Sequence, residues 1–164
     1  KFRWEPVAVL VFLTAFFLFL ANESRAAEVM LGVGTGVANL DQDIRSQQLG
    51  VRFDGRWLVD LTRTGAGTRS DDGKALPENW RVSALRTVTI RREDAWIRPF
   101  LGFGVAYWHE APAAVVNDRV MFDLRAGAQI RNVMISWQHN STAGRTSPNS
   151  GHDMVLLTMR LPFP

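Results

Sequence analysis

The sequence predicts an all-β fold, an eight-stranded antiparallel up-and-down transmembrane β-barrel. Three observations carry this prediction. Beyond residue 26 no run of helical periodicity appears, and the chain breaks into short alternating segments separated by turn residues. The connections alternate between shorter and longer, as they do in barrels with tight periplasmic turns and larger outer loops. Along the segments, apolar residues share one face and polar residues the other.

The elements follow in order. A strand over Glu28–Val37 leads through the moderate connection ANLDQDI to strands at Arg45–Phe53 and Arg56–Thr62, which flank the tight pair Asp54–Gly55. The long TRTGAGTRSDDGKALPEN precedes Trp80–Ile90, the short RRED precedes Ile97–Trp108, and HEAPAAVVND precedes Arg119–Ile130. Almost nothing separates that strand from Asn132–Ser141, and TAGRTSPNSGH joins the latter to Asp153–Phe163. A soluble sandwich has no reason to sort its loop lengths by parity.

The faces agree. Val120, Phe122, Leu124, Ala126, Ala128 and Ile130 share one side of their strand, opposite Asp123, Arg125 and Gln129. In the last strand Val155, Leu157, Met159, Leu161 and Phe163 oppose Thr158 and Arg160. A soluble barrel with an apolar interior gives the same alternation, so pattern alone leaves both open. Trp57, Trp80, Trp96, Trp108 and Trp137 lie towards strand ends, the place of an interfacial girdle or of core packing. Eight strands enclose a lumen that side chains fill, so no pore is expected. Gly32, Gly34, Gly36, Gly102 and Gly104 relieve crowding in so narrow a barrel. The GVGTG string precedes no helix and is not a nucleotide-binding turn.

Composition narrows the function. The chain of 164 residues suffices for one domain, and its 19 basic and 16 acidic residues leave +3, no case for nucleic acid as a partner. The absence of cysteine excludes disulfides, thiolate catalysis and cysteine-ligated metals. The three histidines, His109, His139 and His152, form no cluster suggesting zinc, and no metal or cofactor is expected. Lys1 and Arg3 precede the apolar PVAVLVFLTAFFLFLA and the polar NESRAAE, the layout of a secretory signal. Cleavage after Ala26, with Ser24 at the other small-residue position, divides the chain into a signal peptide over 1–26 and a barrel over 27–164. The rival is a membrane-anchoring helix.

The final hairpin carries the chemistry. Val133, Ile135, Trp137, His139 and Ser141 share parity, so the last two continue an apolar, lipid-facing row. Asp153 has the parity of Val155, Leu157 and Met159. Pairing these rows with Val133 opposite Met159 sets Trp137 opposite Val155 and His139 opposite Asp153. Directly opposed Cβ atoms lie about 4.5–5.5 Å apart, within reach of an imidazole–carboxylate hydrogen bond. Ser141 lies two residues on, about 6.8 Å of strand rise. A one-residue slip destroys the arrangement. A charge facing lipid costs roughly 2–4 kcal/mol at the midplane and less near the interface, which mutual hydrogen bonding offsets. Hydroxyl, imidazole and carboxylate are also the set that acyl transfer needs. Taken alone, H-x-S arises by chance in many chains, and residues 139–153 also read as a polar outer loop.

The string H-N-S-T-A-G, followed by P-N-S-G-H-D, resembles the active-site signature of the PagL family of outer-membrane lipid A 3-O-deacylases. The likeness is close over the last 28 residues and elsewhere extends to architecture and length. It implies an eight-stranded barrel whose triad faces the membrane, with Ser141 as nucleophile, His139 as base and Asp153 as orienting acid. It further implies Asn149 as an oxyanion-hole donor, with Thr142 and Gly144 beside it contributing to oxyanion or substrate binding. The substrate implied is lipopolysaccharide, the partner is outer-membrane lipid, and the location is the bacterial outer membrane. Two departures stand out: Asp153 replaces the usual glutamate, and Thr142 stands where asparagine is usual. His152 and His109 are expected to be lumen or loop residues, and Asp118 is a candidate contact to a substrate hydroxyl. The alternative is a small non-catalytic structural or adhesion barrel.

Overall fold

A computed structural model describes residues 27–162, apart from 39, 41–42, 70–72, 91–94 and 114–115. The expected signal segment over 1–26, the RRED stretch and Phe163 lie outside the described residues. Among the described residues ten strands occur: β1 (Glu28–Gly36), β2 (Arg45–Phe53), β3 (Trp57–Thr64), β4 (Gly67–Thr68), β5 (Ala75–Leu76), β6 (Asn79–Thr89), β7 (Ile97–Trp108), β8 (Val120–Ile130), β9 (Val133–Ser141) and β10 (His152–Pro162). Eight of them close into an antiparallel barrel in the order β1-β10-β9-β8-β7-β6-β3-β2. The observed strands match the expected ones to within about two residues at each end. The pair β4–β5, a two-residue ladder inside the longest loop, was not expected. It is too short to leave a periodic trace.

Tight turns join β2 to β3 and β8 to β9. Asp54 and Gly55 both take positive φ, 52° and 61°, the backbone that a two-residue hairpin matched to strand twist requires. The longer β1–β2, β3–β6, β7–β8 and β9–β10 connections all emerge at the opposite end. Closure of β1 on β10 carries an ion pair between Arg160 and Glu28, whose Nε–Oε2 bond is 2.9 Å.

The wall is apolar outside, and inside a polar array fills the lumen beyond an apolar cluster of Met30, Leu58, Leu85, Phe100 and Met134 at the short-turn end. Val33, Leu101 and Ile135 are 59%, 62% and 50% exposed, whereas Gln48, Asp60, Thr62, Arg81, Asp123, Arg125, Gln138 and Asn140 are buried. This inversion excludes the soluble barrel with a greasy interior and fits a wall that meets lipid. The interior charges neutralise one another. Arg125 Nη2 lies 2.7 Å from Asp60 Oδ2 and 2.8 Å from Asp123 Oδ2, so one guanidinium ties β3 to β8 across the lumen. Arg81 donates to Asn140 Oδ1, Thr62 Oγ1 and Gln138 Oε1 at 2.5, 2.9 and 2.9 Å. A Cβ added at Gly34 or Gly104 would stand 2.5 Å from Leu156 Cδ2 or 2.1 Å from Ala84 O, which explains glycine at these crowded positions.

Four of the five tryptophans in question are exposed, Trp57, Trp80 and Trp137 on wall strands and Trp96 in the bend before β7. Trp108 departs from the girdle reading at 1% exposure. It packs with Leu40, Ile44, Leu76, Ala106, Val116, Met121 and Met154 in an apolar cap at the long-loop end of the lumen. The cap draws on loop residues, and strand alternation does not show where loops fold back.

Replacing Arg125 by methionine leaves Asp60 and Asp123 buried with less compensation. Breaking such a group typically costs about 3–5 kcal/mol. The expected result is a clearly lower urea midpoint in detergent than for wild type, while Val33→Ala on the outer wall changes it little.

Candidate functional site

The site is built where β9 and β10 end at the long-loop rim. Exposure along β9 alternates from Val133 to Gln138, and His139 and Ser141 continue the outward row as half-buried residues. The β9–β10 register pairs Val133 with Met159, Ile135 with Leu157, Trp137 with Val155 and His139 with Asp153. This is the register that matching the two apolar rows requires. On its other side β9 pairs with β8, placing Ser141 opposite Phe122 and His139 opposite Leu124.

His139 Nδ1 and Asp153 Oδ1 are 2.9 Å apart. The directly opposed position therefore lets the short aspartate side chain reach the ring. With the carboxylate on Nδ1, the remaining ring nitrogen, Nε2, is the one available to take a proton. Trp137 stacks on the imidazole, with centroids 5.5 Å apart and 22° between planes, and limits its tilt. Asp153 is only 4% exposed, so its carboxyl group is sheltered where strand parity alone put it against lipid.

The β9–β10 connection runs over the pair. Gly151 has φ +86°, and a Cβ there would lie 2.4 Å from His139 Cε1, 2.9 Å from Nδ1 and 3.3 Å from Asp153 Oδ2. A missing side chain thus leaves room for the imidazole. The motif string contains Gly151, but only the folded turn reveals its contact.

The other expected residues are placed as follows. Ser141 lies on the face of His139, and among the described residues its hydroxyl makes no hydrogen bond to the imidazole. Asn149 is half-buried, and its Oδ1 accepts from Thr142 N at 2.9 Å and Thr142 Oγ1 at 3.0 Å. Thr142 is fully buried, with its hydroxyl committed to Asn149 and to Thr146 Oγ1 at 3.2 Å. The step from Ser141 to Thr142 turns the side chain to the other face. Its N–H, already donated to Asn149, is likewise not open to an oxyanion. Gly144 is exposed, takes φ +82° and has open space around its Cα. It stands in a turn closed by Arg145 N donating to Thr142 O at 3.2 Å.

His152 points into the lumen, buried edge-on against Trp108 with centroids 4.6 Å apart. His109 is an exposed loop residue whose N–H donates to Trp80 O at 2.8 Å. Asp118 Oδ1 accepts from Val120 N at 3.1 Å and Arg119 N at 2.7 Å. These bonds, that of Val120 above all, together with nearby Arg145 hold its carboxyl below the ordinary aspartate value. Arg145, which sequence reasoning missed, braces this rim. It donates to Val120 O at 2.8 Å and Thr142 O at 3.3 Å, with its guanidinium 5.7 Å from the Phe122 ring centre. A basic residue in a polar loop gives no signal of such contacts.

No protein-family model matches the chain, and no curated protein matches it. Among solved structures it is similar to the crystal structure of the outer membrane enzyme PagL, at 21% identity and a TM-score of 0.59, over 83% of this chain and 99% of that one. It also matches a structure from the de novo design of transmembrane β-barrels, at 10% identity and a TM-score of 0.44, over 85% and 97% of the two chains. The first likeness shows the barrel fold.

Gly151→Ala is expected to displace the imidazole and to add backbone strain of about 1–3 kcal/mol. The check is the Nδ1–H proton of His139 by NMR in detergent: its hydrogen-bonded signal should disappear or shift strongly in the variant.

Proposed function

We propose that this protein is a lipid A 3-O-deacylase, a serine esterase of the bacterial outer membrane acting on lipopolysaccharide in the outer leaflet. The observation that carries this reading is the 2.9 Å His139–Asp153 pair on the outer wall, with Ser141 two residues along the same face. The motif resemblance and the barrel likeness to the outer membrane enzyme PagL support it. A wall-mounted site suits a substrate that cannot leave the bilayer. In this reading residues 1–26 direct export and are removed.

The proposed chemistry follows from the groups. Ser141 Oγ attacks the ester carbonyl carbon as His139 Nε2 takes the hydroxyl proton, and Asp153 steadies the imidazolium through Nδ1. The carbonyl oxygen becomes an oxyanion that the Asn149 carboxamide N–H stabilises. Collapse breaks the ester bond, and His139 returns the proton to the sugar 3-oxygen as it leaves. Water, deprotonated by His139, then attacks the acyl-serine and releases the hydroxy fatty acid. Ser141 moves onto the ring when substrate binds, since catalytic hydrogen bonds are often longer in free enzymes and tighten in the complex.

Free 3-hydroxy fatty acid released from lipopolysaccharide is the readout. Ser141→Ala and His139→Ala should each lower the rate about a thousandfold or more, and Asp153→Asn should also be severely impaired. Equal release by wild type and Ser141→Ala contradicts the proposal and favours the non-catalytic barrel.

A further inference from the structure

We propose that Thr142 is a positioning residue that fixes which edge of the Asn149 carboxamide faces the reaction. The inference rests on the deacylase reading for its catalytic consequence and on the loop geometry for its substance. A backbone N–H can only donate, so the Asn149 atom 2.9 Å from Thr142 N must be the carbonyl oxygen. The amide orientation is thereby fixed by chemistry.

The hydroxyl adds a second bond to the same oxygen at 3.0 Å. Because Thr142 Oγ1 spends its proton there, Thr146 must be the donor in the 3.2 Å Thr142–Thr146 contact. The result is a one-way chain from Thr146 to Thr142 to Asn149, in which each bond polarises the next. Both acceptor sites of the carboxamide oxygen are then occupied, and the NH2 edge is left to donate. Among the described residues that NH2 group makes no hydrogen bond.

The backbone of Asn149 is held independently. Val116 forms an isolated antiparallel bridge with Asn149, and Asn117 N donates to Pro148 O at 3.3 Å. Val116 is itself fully buried in the apolar cap. The β7–β8 loop therefore sets where Asn149 stands, and Thr142 sets how its side chain is turned. Because Thr142 directly follows Ser141, the carboxamide is tethered to the peptide next to the proposed nucleophile. Threonine in place of the usual asparagine thus supplies a hydroxyl clamp.

The test compares Thr142→Val, which keeps shape and backbone N–H but removes the hydroxyl, with Thr142→Ser, which restores it. Thr142→Val should lower kcat about threefold to tenfold, the worth of one neutral hydrogen bond, with KM little changed. Thr142→Ser should recover most of the rate. Asn149→Ala should cost about 10²–10³-fold, and adding Thr142→Val to it should cost nothing more. Independently of activity, the Asn149 side-chain amide NMR signals should shift in Thr142→Val and stay near wild type in Thr142→Ser. Unmoved signals, wild-type kcat in Thr142→Val, or full additivity with Asn149→Ala would each overturn the inference. The deacylase reading falls separately, on undiminished release by Ser141→Ala, while the NMR comparison still reports on the clamp.

Discussion

The direct opposition of His139 and Asp153 across β9 and β10 is the constraint on which the candidate site depends. Side chains alternate faces with period 2, so this single register decides whether imidazole and carboxylate meet outside, meet inside or miss each other. The matched rows of outward apolar residues enforce it, and the tight β8–β9 turn fixes β9 in turn against β8. Arg131, with φ 51° at that turn, leaves little slack for slippage. At the rim, the conformation of Gly151 and the stacked Trp137 hold the ring in place.

The rest of the barrel makes this register affordable. Its interior combines a buried array of Arg81, Arg125, Asp60 and Asp123, with amide and hydroxyl partners, and a separate apolar cluster of Met30, Leu58, Leu85, Phe100 and Met134. Such an array costs desolvation energy that only close pairing offsets. In return it frees the apolar residues for the outer wall and ties opposite strands together across the lumen. The cap formed around Trp108 closes the long-loop end, and through Val116 it reaches the loop that carries Asn149. Site and cap are therefore parts of one rim.

Much of this was legible in the sequence, for a physical reason: strands and their faces are local properties. The alternation around Val133–Ser141 and Asp153–Leu161 sufficed to place the rows, and setting Val133 opposite Met159 sufficed to align them. Properties set by loop closure were not legible. Asp153 reads as facing lipid by parity, yet the chain shelters it. Thr142 reads as a companion of Ser141, but it turns inward to Asn149, seven positions on in a loop that has no periodicity to interpret. Trp108 reads equally as a girdle or a core residue until the loops are seen to fold over it. The resemblance supplied candidate roles, and the structure supplied the contacts through which those roles would act.

The central claim is that an imidazole–carboxylate pair on the lipid-facing wall activates the neighbouring Ser141 hydroxyl. A lipid-tailed fluorophosphonate, which traps an activated serine covalently, tests this most directly when applied to the protein in outer-membrane vesicles and followed by peptide mass spectrometry. The account predicts one adduct, on Ser141, formed in wild type and lost in His139→Ala. An unmodified Ser141, or labelling that proceeds equally without His139, would contradict it.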